Sequence, residues 1–148
     1  MTEHSQAPLP NASLLRRLAA MFYDTLLLLG IWFLAGLLAL PFQGNETSQA
    51  DGYPLGYLLY LLAVTFLFFH WFWTHGGQTL GMVSWRIRVQ RMDGTPLTLR
   101  QTLLRFIAAA VSLAAGGLGF LWILFDKDHM AWHDRWSGTH VVVIPKKK

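Results

Sequence analysis

The sequence predicts a mainly α-helical membrane protein with two transmembrane helices. It adds a glycine-interrupted third hydrophobic segment and a small cytoplasmic β-hairpin-like element. Three observations carry this. The chain is 53% hydrophobic and only 14% charged, against about a quarter charged in soluble domains. Its apolar residues fall in three long blocks, and its basic residues gather in the stretches that flank them. The 148 residues amount to one domain. A polar lead-in over 1–13, with Pro8 and Pro10, reads as disordered; the membrane domain covers 14–144, and a basic tail covers 145–148. The absence of cysteine excludes disulfides, thiolate metal sites and redox pairs. The net charge of +4 lies beside the apolar blocks. It therefore points to the phosphates of a lipid bilayer and away from nucleic acid, which would need a soluble basic face.

The first block, Leu18–Leu40, is long enough at about 1.5 Å per residue to cross a hydrocarbon core of roughly 30 Å. Arg16 and Arg17 before it resemble the start of a signal peptide. The run is too long for an ordinary signal core and carries Asp24, so it reads as a retained span. Pro41 and Gly44 end it. The second block is Leu55–Trp73. Tyr53, Tyr57 and Tyr60 gather at one end, with Trp71 and Trp73 at the other, as in the aromatic belts of two interfaces. The third block, Leu103–Phe125, is interrupted by Gly116, Gly117 and Gly119. Thr98 and Gln101 form a capping box that starts a helix near Leu99.

Basic residues set the orientation. The 41–54 connection holds Glu46 and Asp51 and no Lys or Arg, whereas the 74–102 connection holds Arg86, Arg88, Arg91 and Arg100. Short basic segments stay cytoplasmic, so the N-terminus and the 74–102 connection lie inside a cell (inner) membrane crossed more than once. Two courses remain for the third block: a full crossing that leaves Lys127, Arg135 and Lys146–Lys148 outside, or a re-entrant bend at the glycines. Strand signals favour the bend. Trp85, Ile87 and Val89 alternate with Arg86, Arg88 and Gln90, the period of a half-buried strand. Asp93-Gly94 supplies a turn. His140–Ile144 is a second β-branched run, closed by Pro145. Lone strands leave backbone groups unpaired, so these two partner each other if both lie on one side.

Asp24 is the most informative residue. A carboxylate within a span costs at least about 2.5–3.5 kcal/mol near the centre and normally has a partner. The candidates are Arg17, two turns earlier, and Arg105, on the third block. Such a set serves either an ion, proton or polar-ligand site or an ion pair that fixes helix packing. His70 and His75, near the inner end of the second span, read as amphipathic interfacial side chains before proton relays. His129 and His133 stand at a spacing that binds metal on a helix. The glutamate of a zinc-protease motif is missing between them, and Trp132 and Trp136 flank the stretch, so an interfacial segment is the better reading and no metal is assigned. Gly76–Gly81 lacks the Gly-Lys-Ser/Thr ending of a phosphate loop and reads as a flexible exit turn. No cofactor motif is present, and no nucleophile, base and oxyanion set has supporting spacing, so the chain reads as a non-enzyme.

Arg17-Leu18-Ala19-Ala20-Met21-Phe22-Tyr23-Asp24 resembles the opening of the RDD family of bacterial membrane proteins. That family is named for an arginine that begins the first helix, an aspartate within it and a second aspartate. Gly77-Gln78-Thr79-Leu80-Gly81-Met82 through Val89 and Asp93-Gly94 resemble the family's turn and strand, with Met82 where a lysine is usual. His133-Asp134-Arg135-Trp136-Ser137-Gly138-Thr139-His140-Val141-Val142 resembles its C-terminal stretch, with Asp134 as the second aspartate. The match runs over about residues 13–144. The resemblance implies transport, with sodium–proton exchange in some members.

Two functions follow as expectations. In one the chain is a component of transport for an ion or small polar ligand. Asp24 binds the ion, Arg17 or Arg105 tunes it, and Asp134 acts at the cytoplasmic mouth. Two spans cannot enclose a pathway, so a homo-oligomer or a partner membrane protein is needed. In the other, Arg17, Asp24, Arg105 and Asp134 form a structural network in an assembly or accessory module with a cytoplasmic partner-binding surface. His70 and His133 are lesser polar candidates in either case.

Overall fold

The computed structural model describes residues 8–42 and 55–146. The 43–54 connection, with Glu46, Asp51 and Tyr53, lies outside the described residues, as do 1–7 of the lead-in and the last two lysines of the tail.

Helix α1 runs over Leu14–Ala39 and ends in a 3-10 turn at Leu40–Phe42; α2 covers Leu55–Thr74. Both are long and apolar enough to cross a membrane. They pair through Trp32 Nε1, which donates to the Thr65 hydroxyl at 2.9 Å, and Tyr60, whose hydroxyl donates to the Ala35 carbonyl at 3.3 Å. Most of their remaining large side chains face outward, as hydrocarbon-facing side chains do. Trp71 faces outward, 61% exposed, but Trp73 turns inward and is 7% exposed. It joins a core with Ala20, Ile87, Val89 and Val141.

After α2 the chain makes a short helix, α3 (Leu80–Ser84), then β1 (Ile87–Arg91), and reaches α4 (Leu99–Ala114). The capping box of Thr98 and Gln101 starts α4 as expected. Gly116 and Gly117, both at positive φ, end it, a backbone setting that favours glycine. Helix α5 (Leu118–Leu121) and the 3-10 turn Trp122–Leu124 then run at 105° to α4. Helix α6 (Trp132–Ser137) packs back on α4, and β2 (Thr139–Val143) follows. The third hydrophobic segment therefore doubles back.

The sheet explains why it must. β1 and β2 pair antiparallel with Val89 opposite Val141. Ile87, Val89, Val141 and Val142 are buried. On the other edge of β2, Ala12 N–H donates to the Val141 carbonyl at 2.8 Å, and Val143 N–H donates to the Pro10 carbonyl at 2.9 Å. Residues 10–12 of the lead-in are thus held as an extended segment against β2, not disordered. β2 therefore lies at the same end of the bundle as residues 10–12. β1 starts two residues later than its alternation suggests, because Arg86 adopts φ 52° and turns the chain there.

Candidate functional site

The buried polar groups divide into two sets, both partly built on α1. Arg17, in the first turn of α1, is 4% exposed. Its Nη1 donates to Asp134 Oδ2 at 2.5 Å, its Nε to the Ala12 carbonyl at 3.1 Å and its Nη2 to the His129 carbonyl at 3.2 Å. Arg105 on α4 meets the other oxygen of the same carboxylate, Nη1 to Oδ1 at 2.7 Å. Asp134 has no exposure and also accepts the Ala131 N–H at 3.1 Å, which caps α6. One carboxylate therefore ties the start of α1, the body of α4 and the start of α6 together. Its charge state follows from this setting. Burial raises its pKa, but the charges of Arg105 and Arg17 outweigh burial and hold it well below the usual carboxylate range.

Arg105 Nη1 also donates to the Thr139 hydroxyl at 2.6 Å. Thr139 Oγ1 lies 2.7 Å from Ser137 Oγ, and the Ser137 hydroxyl donates to the His133 carbonyl at 2.6 Å. With Thr139 accepting from Arg105, its own proton goes to Ser137, and the chain of donors runs one way. His133 is 6% exposed, with Nε2 at 3.6 Å from Asp134 Oδ1 and its ring 4.8 Å from that of Phe120. Its pKa is pushed down to about 3, chiefly by burial and further by Arg105 and Arg17, against the pull of Asp134. It is neutral at pH 7. Arg17, Arg105 and Asp134 together then carry a net charge of about +1.

Asp24 belongs to the second set. It is 3% exposed, but neither arginine pairs with it, contrary to the expectation from sequence. Its Oδ2 accepts the Thr79 hydroxyl at 2.5 Å, and its Oδ1 accepts the Gly81 N–H at 3.0 Å. Thr79 in turn caps α3 by accepting the Met82 N–H at 3.2 Å. The physical reason is proximity. Gly81 packs so closely on α1 that a Cβ there would strike the Ala20 carbonyl oxygen, which brings two donors to Asp24, while Asp134 engages both guanidiniums. The stretch Gly77–Gly81 is accordingly an anchored cap, not a flexible turn. Asp134 is likewise no cytoplasmic mouth, since it is fully enclosed.

Other expected residues separate. His70 Nδ1 lies 2.9 Å from the Thr102 hydroxyl and links α2 to α4. His75 stacks on Trp71. His129, at φ 52°, precedes α6, so it shares no helical face with His133. Thr79, Ser137 and Thr139 entered the sequence reading only as members of family-like stretches, and Trp73 only as an interfacial aromatic. Only Thr79 carried a signal, as a β-region threonine ahead of a short apolar run.

Both polar sets border one cavity of about 360 Å³ between α1, α2 and α4. Arg17, Asp24, Arg105 and His133 lie on its lining, together with Met82, and Leu28, Leu62, Phe106 and Leu113 make its wall apolar.

A protein with two apolar spans, a doubled-back third segment and a carboxylate buried between guanidiniums is a polytopic membrane protein with an internal ion cluster. The RDD family model matches residues 11–138, and the chain belongs to the RDD family. Arg17 and Asp134 are bonded to each other, whereas Asp24 stands apart from both. No curated protein and no solved structure matches the chain.

Proposed function

We propose that this RDD protein is the ligand-handling component of a membrane transport assembly, without catalytic chemistry of its own. The observation that carries this is the cavity of about 360 Å³ between the helices, apolar along its wall and bordered by Arg17, Asp24, Arg105 and His133. Its size falls in the range of small-molecule sites, roughly 300–1,000 Å³. In this reading the cytoplasmic side of a bacterial inner membrane faces the sheet and the N-terminus. The basic residues Arg86, Arg88, Arg91 and Arg100 support that orientation. Two spans and a doubled-back segment do not enclose a path, so a second copy or a partner completes it. Flux of candidate ions and small ligands into proteoliposomes tests the proposal. Wild type should show saturable flux that Asp24→Asn alters. Equal, ligand-independent leak in both overturns it.

A second reading is favoured by the completeness of the Arg17–Asp134 contacts: the cluster serves assembly, and the module supports a partner through its cytoplasmic surface. Removing one member of a buried ion cluster costs about 3–5 kcal/mol. Asp134→Asn should therefore sharply lower both accumulation and melting temperature in detergent. Normal accumulation of that variant removes this reading.

A further inference from the structure

Arg105 has donors to spare. Its Nη1 is committed to Asp134 and Thr139. Among the described residues nothing bonds its Nε or Nη2. Those two nitrogens form the edge of a guanidinium that grips an oxyanion through two parallel hydrogen bonds. One more donor beside it is unpartnered, Trp73 Nε1, and the Nδ1 of His133 also has no partner. The Trp73 ring lies 5.1 Å from the Arg105 guanidinium carbon, and all three residues line the cavity. They are 2%, 7% and 6% exposed.

Charge points the same way. Asp134 neutralises one of two buried guanidiniums and leaves the other unbalanced, a costly state in a low-dielectric interior. Asp24 borders the same cavity, yet its oxygens are taken by Thr79 and Gly81, and it forms no ion pair with either arginine. Beyond these polar groups the wall is hydrocarbon, through Leu28, Leu62, Phe106 and Leu113.

We infer that the cavity takes an amphiphilic organic anion, its carboxylate or phosphate head on the Nε–Nη2 edge of Arg105 and its hydrocarbon portion along that wall. This rests on the cavity being a ligand site and names the class of ligand. Equilibrium binding of radiolabelled laurate to the full chain in nonionic detergent tests it, with dodecyl phosphate, dodecanol, acetate and inorganic phosphate as competitors. Laurate should bind saturably and be displaced by dodecyl phosphate. Dodecanol should compete at least about tenfold more weakly, since it lacks the charged hydrogen bonds. Acetate and inorganic phosphate should not compete at the same concentrations.

Arg105→Lys keeps a charge opposite Asp134 but loses the fork, and should weaken laurate about tenfold or more. Ala109→Phe fills the cavity wall one turn along α4 from Arg105 and should abolish binding, a second variant if the lysine substitution does not fold. Equal competition by dodecanol, full competition by the small anions, or undiminished binding in Ala109→Phe overturns the inference. Absence of saturable laurate binding to the folded wild type does so too. Laurate binding without flux in proteoliposomes removes the transport reading alone; flux of another ligand without laurate binding removes this inference alone.

Discussion

His133 stands fully inside a positively charged pocket, and its neutrality is a condition of the fold. Its pKa is about 3 in the folded protein against 6.5 ordinarily. The unfolded chain therefore takes up a proton near pH 6 that the folded chain refuses. This contribution to stability is complete above about pH 6.5 and is lost as pH falls toward 3, with a slope approaching roughly 1.4 kcal/mol per pH unit. Asp134 adds little between pH 7 and 5, because its carboxylate, held below the usual range, loses its contribution as pH falls through 3.8 and below. The melting temperature in detergent should fall between pH 7 and 5, and His133→Phe, which keeps a ring against Phe120, should flatten the fall. An equally steep fall in the variant places the proton elsewhere. At this scale the identities of Arg17, Asp24, Arg105 and Asp134 were legible in the sequence, but their pairing was not. Arg17 and Asp24 sit two turns apart on one helix and look like partners. The real bond joins residues 117 positions apart, a distance that no local spacing reports.

Among the elements, α3 depends on one glycine. Gly81 lies against the Ala20 carbonyl oxygen and 2.9 Å, measured from an added Cβ, from Asp24 Oδ1. Gly81→Ala should push α3 off α1, stretch both hydrogen bonds to Asp24 and cost about 1–3 kcal/mol, as overpacking does. Gly30→Ala, with nothing within 4 Å, is the matched control, and thermal melting of both variants checks the contrast. The sequence showed the two spans, the capping box at Thr98 and the pairing of two strands, since apolar length and period-two alternation are strong signals. It did not show α3. A five-residue helix has too few turns to display a period, and its cap bonds to a distant carboxylate.

For the molecule as a whole, the doubled-back third segment brings β2 back beside β1 and residues 10–12. The chain lacks cysteine, so Met92→Cys and Pro145→Cys can each be labelled alone with a membrane-impermeant maleimide. Both should resist labelling in intact cells and react once the membrane is opened, while Asn45→Cys reacts in intact cells. Opposite accessibility of Met92→Cys and Pro145→Cys excludes the shared side. The choice between crossing and returning was open in the sequence because glycines permit either; pairing of β1 with β2 decides it. The separation of Arg17 from Asp134 also governs biogenesis. During synthesis Arg17 leaves the ribosome more than a hundred residues ahead of Asp134, the carboxylate it pairs with among the described residues. The contact that closes the start of α1 is therefore completed only when almost all of the chain has emerged. A product truncated before Asp134 leaves Arg17 and Arg105 without that counter-charge and should accumulate less than the full chain.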